Sequence, residues 1–184
     1  MNRLLRWCRR GLLVLWLALI GTVLALVLTT RVAPALGYRL VIVRGPSMTP
    51  TIPLGALAFE RAAKPADIVP GAVVTMTLPS GTIFTHRVTR VATVDGHDQI
   101  ATKGDANAED DPTMQPASEV SGVVRFTVPL AGFMLAFLGL PSGLMSVLAM
   151  LGSILATIWL LEELEDELAE APAPTSAWGH GATA

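Results

Sequence analysis

Two stretches of the chain stay apolar for longer than a strand or a short core helix needs. Residues 11–30 read GLLVLWLALIGTVLALVLTT without a charge, and about 20 residues is the length at which a helix crosses a hydrocarbon core. A second apolar region starts near Pro129 and divides at the LPSG of residues 140–143. Its first part, 129–141, is too short to span and is expected at the membrane interface or against the folded domain. Its second part, 143–161, is about long enough to cross. Between these regions the pattern changes to short β-type runs: YRLVIV, LAFERA, AVVTMTL, GTIFTHRVTRVATV, HDQIATKG and SGVVRFTV. Turn signals (LPSG, VDGHD and GDANAEDDP) separate several of them. In FTHRVTRVATV the alternation places Phe84, His86, Val88, Arg90 and Ala92 on one face. No long helical period, internal repeat or glycine-rich phosphate loop interrupts residues 37–128. The pattern therefore predicts a mostly β fold, a small barrel or coiled sheet over 37–128, flanked by N- and C-terminal transmembrane helices.

Charge gives these helices a direction. Arg3, Arg6, Arg9 and Arg10 crowd residues 1–10, and basic flanks stay on the cytoplasmic side. The β domain is then expected on the extracytoplasmic face of a cell membrane that the chain crosses twice. Ala33-Pro34-Ala35 resembles the cleavage site of a removed leader. The apolar run before it exceeds the roughly 7–15 residues of such a leader's core, so a retained anchor is the reading. After Leu161, EELEDELAE reads as a solvated acidic helix and APAPTSAWGHGATA as a disordered tail, together spanning 162–184.

Composition narrows the partners. Of 184 residues, 52% are hydrophobic and 15% charged, too apolar for an ordinary small soluble domain and suited to a lipid bilayer. A net charge of −2 and 5% aromatics give nucleic acid neither a basic footprint nor a stacking surface. Cys8 is the single cysteine, no Cys/His cluster has zinc spacing, and the acidic loop lacks the EF-hand pattern. Neither metal nor other cofactor is expected.

The candidate chemistry lies in three places. In GPSMTP, Ser47 sits between Pro46 and Pro50, roughly 17 residues past the first helix and thus near the membrane surface. The prolines restrict the backbone, and Gly45 is read as supplying geometry closed to other residues. A fixed serine suits acyl transfer once a base activates it; alone, a serine between prolines is usually a turn. His86 lies inside a predicted strand and can accept a proton near neutral pH. His97 falls in an exposed turn and His180 in the tail. The stretch TKGDANAEDD offers Asp105, Asp110 and Asp111, any of which could hold the second ring nitrogen of the histidine.

Taken in order, PSMTPTI, LGALAFERAAKPADIVPGAVVTM, THRV and TKGDANAEDD resemble the boxes of signal peptidase I. The likeness is to its Ser-His branch, which includes the endoplasmic-reticulum catalytic subunit and archaeal and Gram-positive relatives. It covers the first helix, nearly all of the middle domain and the second helix. The resemblance implies a membrane-bound serine endopeptidase that removes N-terminal signal peptides from exported preproteins. Ser47 takes the nucleophile position. His86 takes the base position, where the bacterial housekeeping branch has lysine. Asp111 matches the orienting acid, Asp105 a supporting acid, and Lys103 an ordinary lysine of the box. Preproteins and the bilayer are the implied partners, with the need for accessory membrane subunits left open. Two positions depart from the pattern. Pro46 stands where the family usually has glycine, and Gly45 where some housekeeping enzymes carry a serine that helps hold the oxyanion. The Ser47 N–H remains as one oxyanion donor, and the second is unassigned. A different class of function, a non-catalytic membrane-anchored β module that binds extended peptides, draws its support from Pro46.

Overall fold

The computed structural model describes residues 2–78 and 81–170. The tail at 171–184, with His180, and two residues of the first LPSG turn lie outside the described residues. Helix α1 runs Asn2–Ala35 and helix α3 Pro141–Glu170. Both are long and apolar enough to cross a membrane. Each overruns its apolar stretch. The arginine-rich start belongs to α1, and the acidic EELEDELAE continues α3, because Leu, Glu and Arg are strong helix formers. That overrun makes "mostly β" an overstatement: helix accounts for 46% and strand for 27% of the described residues.

The described residues form two compact units, 2–22 with 145–170, and 23–78 with 81–144. In the first, Arg9 Nη1 donates to Glu162 Oε1 at 2.8 Å and Trp16 Nε1 to the Leu151 carbonyl at 3.1 Å. Residues 9 and 16 of α1 thus meet 162 and 151 of α3, so the two helices run antiparallel.

The second unit holds a seven-stranded antiparallel sheet: β1 Arg39–Ile42, β2 Leu57–Ala62, β3 Val73–Thr77, β4 Ile83–Val94, β5 His97–Lys103, β6 Gln115–Pro116 and β7 Val120–Val128. Their spatial order is β1-β2-β7-β3-β4-β5-β6. Alternation along β3 splits its side chains between two cores. Val74 and Met76 pack with Val88, Ile100, Val120 and Val123, while Val73 packs on Met48, Ile52 and Ala56. The short helix α2, Ala131–Leu138, buries Ala131 against Leu57 and Phe59.

The single-face reading of β4 holds only to Val88. Val88 pairs with Thr102 but Arg90 with Ala101, so Thr89 is an extra residue, a β-bulge that flips the alternation. Beyond it Val91, not Arg90, packs on the core. Strand β6 gave no sequence signal, since two residues cannot show an alternation.

Candidate active site

The turn after β1 presents Ser47. It is closed by the Thr49 N–H to the Pro46 carbonyl at 2.9 Å and the Ile52 N–H to the Met48 carbonyl at 2.8 Å. Met48 is 1% exposed and Ile52 4%. The two apolar side chains plug the turn into the second core and leave Ser47 half-buried at its rim. That accounts for a methionine beside the serine. Gly45 is not there for its conformational freedom: its φ is not positive, and a Cβ on it would meet nothing within 4 Å.

His86 is held mid-strand opposite Val74. Its Nδ1 lies 2.6 Å from Asp111 Oδ2, and the Thr102 hydroxyl donates to the same oxygen at 2.6 Å. Thr102 also receives the Asp111 N–H on its carbonyl at 2.8 Å. A carboxylate only accepts, so Nδ1 carries the proton and Nε2 is left as an acceptor. Phe84 braces the ring edge-on, 5.0 Å between centroids.

Gly104 brings serine and histidine together. A Cβ on Gly104 would lie 2.7 Å from the Ser47 carbonyl oxygen and 3.1 Å from His86 Nε2. Those two atoms are therefore separated by no more than the sum of these distances, and only a residue without a side chain lets them close. The Ala106 N–H donates to the Ser47 carbonyl at 2.8 Å, which fastens the acidic loop to the serine turn. No Ser47–His86 side-chain hydrogen bond is formed among the described residues; contacts of this kind commonly tighten only when substrate binds.

The three aspartates have separate partners. Asp105 takes Arg87 bidentately, Nε to Oδ1 at 2.9 Å and Nη2 to Oδ2 at 2.7 Å. The Arg87 hydrogen bonds hold its carboxyl below the usual carboxylate value, against the opposing effect of partial burial, and Asp105 raises Arg87 in return. Asp110 is exposed and accepts from the Thr89 hydroxyl at 2.8 Å. Lys103 Nζ donates to the Ala108 carbonyl at 3.0 Å. His97 lines a separate cavity of about 500 Å³ with Ile68 and Pro116.

A groove of about 600 Å³ passes Ser47. One wall is residues 40–45 of β1 and its extension; the other is residues 83–85 of β4. β1 ends the sheet, and β5 pairs with β4 only from Arg87 onward. Both walls therefore have a strand edge open to pairing. Thr102 and Gly104 went unnoticed in the sequence; a glycine directly before the first aspartate of TKGD was the one available signal for the second. Comparison with known protein families finds no family model that matches the chain, and no curated protein matches it.

Proposed function

We propose that the chain is a membrane-bound serine endopeptidase of the signal peptidase I type, Ser-His branch, with residues 37–128 as its curled-sheet peptidase domain on the extracytoplasmic side. The observation that carries this reading is the junction at Gly104. There the Ser47 main chain and His86 Nε2 approach one point, while Asp111 holds the opposite ring nitrogen at 2.6 Å.

A preprotein lies extended in the groove and adds as a strand to its open edges through main-chain hydrogen bonds. Shallow pockets there select small residues at positions −1 and −3. Ser47 Oγ attacks the scissile carbonyl as His86 Nε2 takes its proton. Asp111 keeps Nδ1 protonated and stabilises the imidazolium. The Ser47 N–H, which takes no part in the two bonds that close the turn, donates to the developing oxyanion. The imidazolium then protonates the leaving amine, and the acyl-enzyme is hydrolysed by water that His86 activates.

Purified full-length protein in detergent, incubated with a preprotein, tests the reading. Wild type releases the mature chain; Ser47→Ala and His86→Ala retain the fold and lose nearly all cleavage. Lys103→Ala, whose ammonium is spent on a loop carbonyl, keeps most of it. Cleavage that survives Ser47→Ala and stops in Lys103→Ala contradicts the assignment. A peptide-binding module without chemistry would bind the preprotein equally with Ser47 or alanine and release nothing.

A further inference from the structure

Glu60 is a fully buried carboxylate that takes no part in the chemistry above: its exposure is 0%. Burying a carboxylate is expensive even when it is paired, and an apolar residue in its place is often no less stable. The surroundings are nevertheless built for it. Arg39 Nη2 donates to Oε2 at 2.8 Å and the Thr75 hydroxyl donates to Oε1. A Cβ on Gly122 would lie 2.9 Å from Oε2, so glycine there makes the room. Register shifts fall at Phe59/Glu60 between β2 and β7 and at Thr75/Met76 between β3 and β7. The second leaves Ser121 as an extra residue, whose hydroxyl donates to the Thr75 carbonyl at 3.1 Å and receives Arg39 Nη2 at 3.1 Å.

The protons in this network run one way. An ionised carboxylate has no proton to give, and a hydroxyl has one. Thr75 gives its proton to Glu60. The 2.8 Å contact between the Thr75 and Thr85 hydroxyls is therefore a donation from Thr85 to Thr75. Thr85 is left with lone pairs and no proton, and Thr85 lines the groove that passes Ser47, among largely apolar neighbours such as Val41, Ile42 and Phe84.

We propose that Glu60, acting through Thr75, fixes Thr85 as a hydrogen-bond acceptor in the groove, so that the groove selects peptides with a serine or threonine hydroxyl at the position that meets Thr85. The proposal rests on the peptide-groove reading above. Glu60 is a positioning residue in it and Thr85 the residue that touches the peptide. A hydrogen bond of this kind is worth roughly three- to tenfold in affinity. Glutamine at position 60 can donate from its amide to Thr75, which frees the Thr75 proton for Thr85 and turns Thr85 into a donor. The preference should then pass from serine to a side chain that only accepts.

The test is a scan of alanine-rich ten-residue peptides, each carrying one serine or one O-methylserine at successive positions before the cleaved bond. Cleavage by wild type and binding to the full-length Ser47→Ala variant in detergent are both measured. One position should favour serine over alanine and over O-methylserine by roughly three- to tenfold. Thr85→Ser should keep that preference and Thr85→Val abolish it. Glu60→Gln should shift it toward O-methylserine; if that variant is unfolded, the Thr85 pair decides alone. A folded Glu60→Gln that still prefers serine as wild type does, or a preference that survives Thr85→Val, overturns the proposal. Peptides that are cleaved with no serine preference anywhere overturn it and leave the peptidase reading standing. Serine-selective binding without cleavage by wild type supports it and removes the peptidase reading. No binding or cleavage of any peptide overturns both.

Discussion

Asp111, Asp110 and Asp105 stand within seven residues of one another, yet each has a different partner: His86, Thr89 and Arg87. Asp111→Asn keeps the shape and removes the charge that stabilises a protonated His86. It should lower kcat by on the order of a hundredfold or more with little change in melting temperature. Asp110→Asn, one residue away on an exposed bond to Thr89, should change kcat less than twofold, roughly the effect of an ordinary surface substitution. Steady-state kinetics with matched thermal melts separate the two. Asp105 acts on stability. Arg87 lowers its folded pKa, so its contribution is complete above the ordinary value of 3.8 and fades as the pH falls below that toward the lowered value. The wild-type melting temperature should therefore drop with acid below about pH 4, and Asp105→Asn should flatten part of that drop while melting lower at neutral pH. Some slope should remain, since Arg125 lowers Asp67 in the same direction. If Asp105→Asn melts like wild type at pH 7 and is inactive, the roles of the two acids are exchanged. The sequence already carried the residue types and left all three acids open as partners. Residue chemistry alone could not choose among them, because the pairing depends on Thr89 being bulged out and on Gly104 admitting the serine turn, both set by long-range pairing; only the motif resemblance singled out Asp111, the acid that lies against His86.

At the scale of elements, the site depends on a plugged turn and an interrupted strand. Six of the seven strands were legible from short β-type runs bounded by turn residues, and the β2 run LAFERA coincides with Leu57–Ala62. The bulge in β4 was not, because VTRV alternates smoothly as a string and only the pairing with β5 reveals the extra residue. The serine turn is the reverse case. Its prolines were visible, but the side chain that fixes it is Met48, 1% exposed in the core with Ile52 and Ala56. Met48→Ala should cost about 2–5 kcal/mol of stability, and Met48→Leu under about 1.5 kcal/mol, measured by denaturant unfolding of the detergent-solubilised protein. Cleavage should fall in Met48→Ala even at temperatures where it stays folded, since Ser47 is adjacent. Unchanged kinetics in folded Met48→Ala would mean that the turn is set by its prolines and backbone bonds alone.

For the whole molecule, the two long helices follow from hydropathy and their relative direction from Arg9–Glu162 and Trp16–Leu151. The acidic extension of α3 was legible as helix, whereas the arginine-rich start of α1 escaped a reading built on apolar stretches. An antiparallel pair that crosses a bilayer puts both ends on one side, and the sidedness proposed above, from the arginines of α1, makes that side the cytoplasm. With Cys8→Ser as background, a cysteine placed by Glu170→Cys should react with a membrane-impermeant maleimide only after intact cells are opened, and one placed by Glu109→Cys should react from outside. Labelling of Glu170→Cys from outside would reject the proposed sidedness. The proposed mechanism requires that Ser47 becomes acylated by a peptide bound in the groove. Its most direct measurement is mass spectrometry of the full-length protein quenched during turnover of an activated peptide ester. A mass increase equal to the acyl part of the peptide is expected, located on Ser47, absent from Ser47→Ala and strongly diminished in His86→Ala. An adduct on Lys103 or another nucleophile, or release of product by the folded Ser47→Ala protein at the wild-type rate, would contradict it.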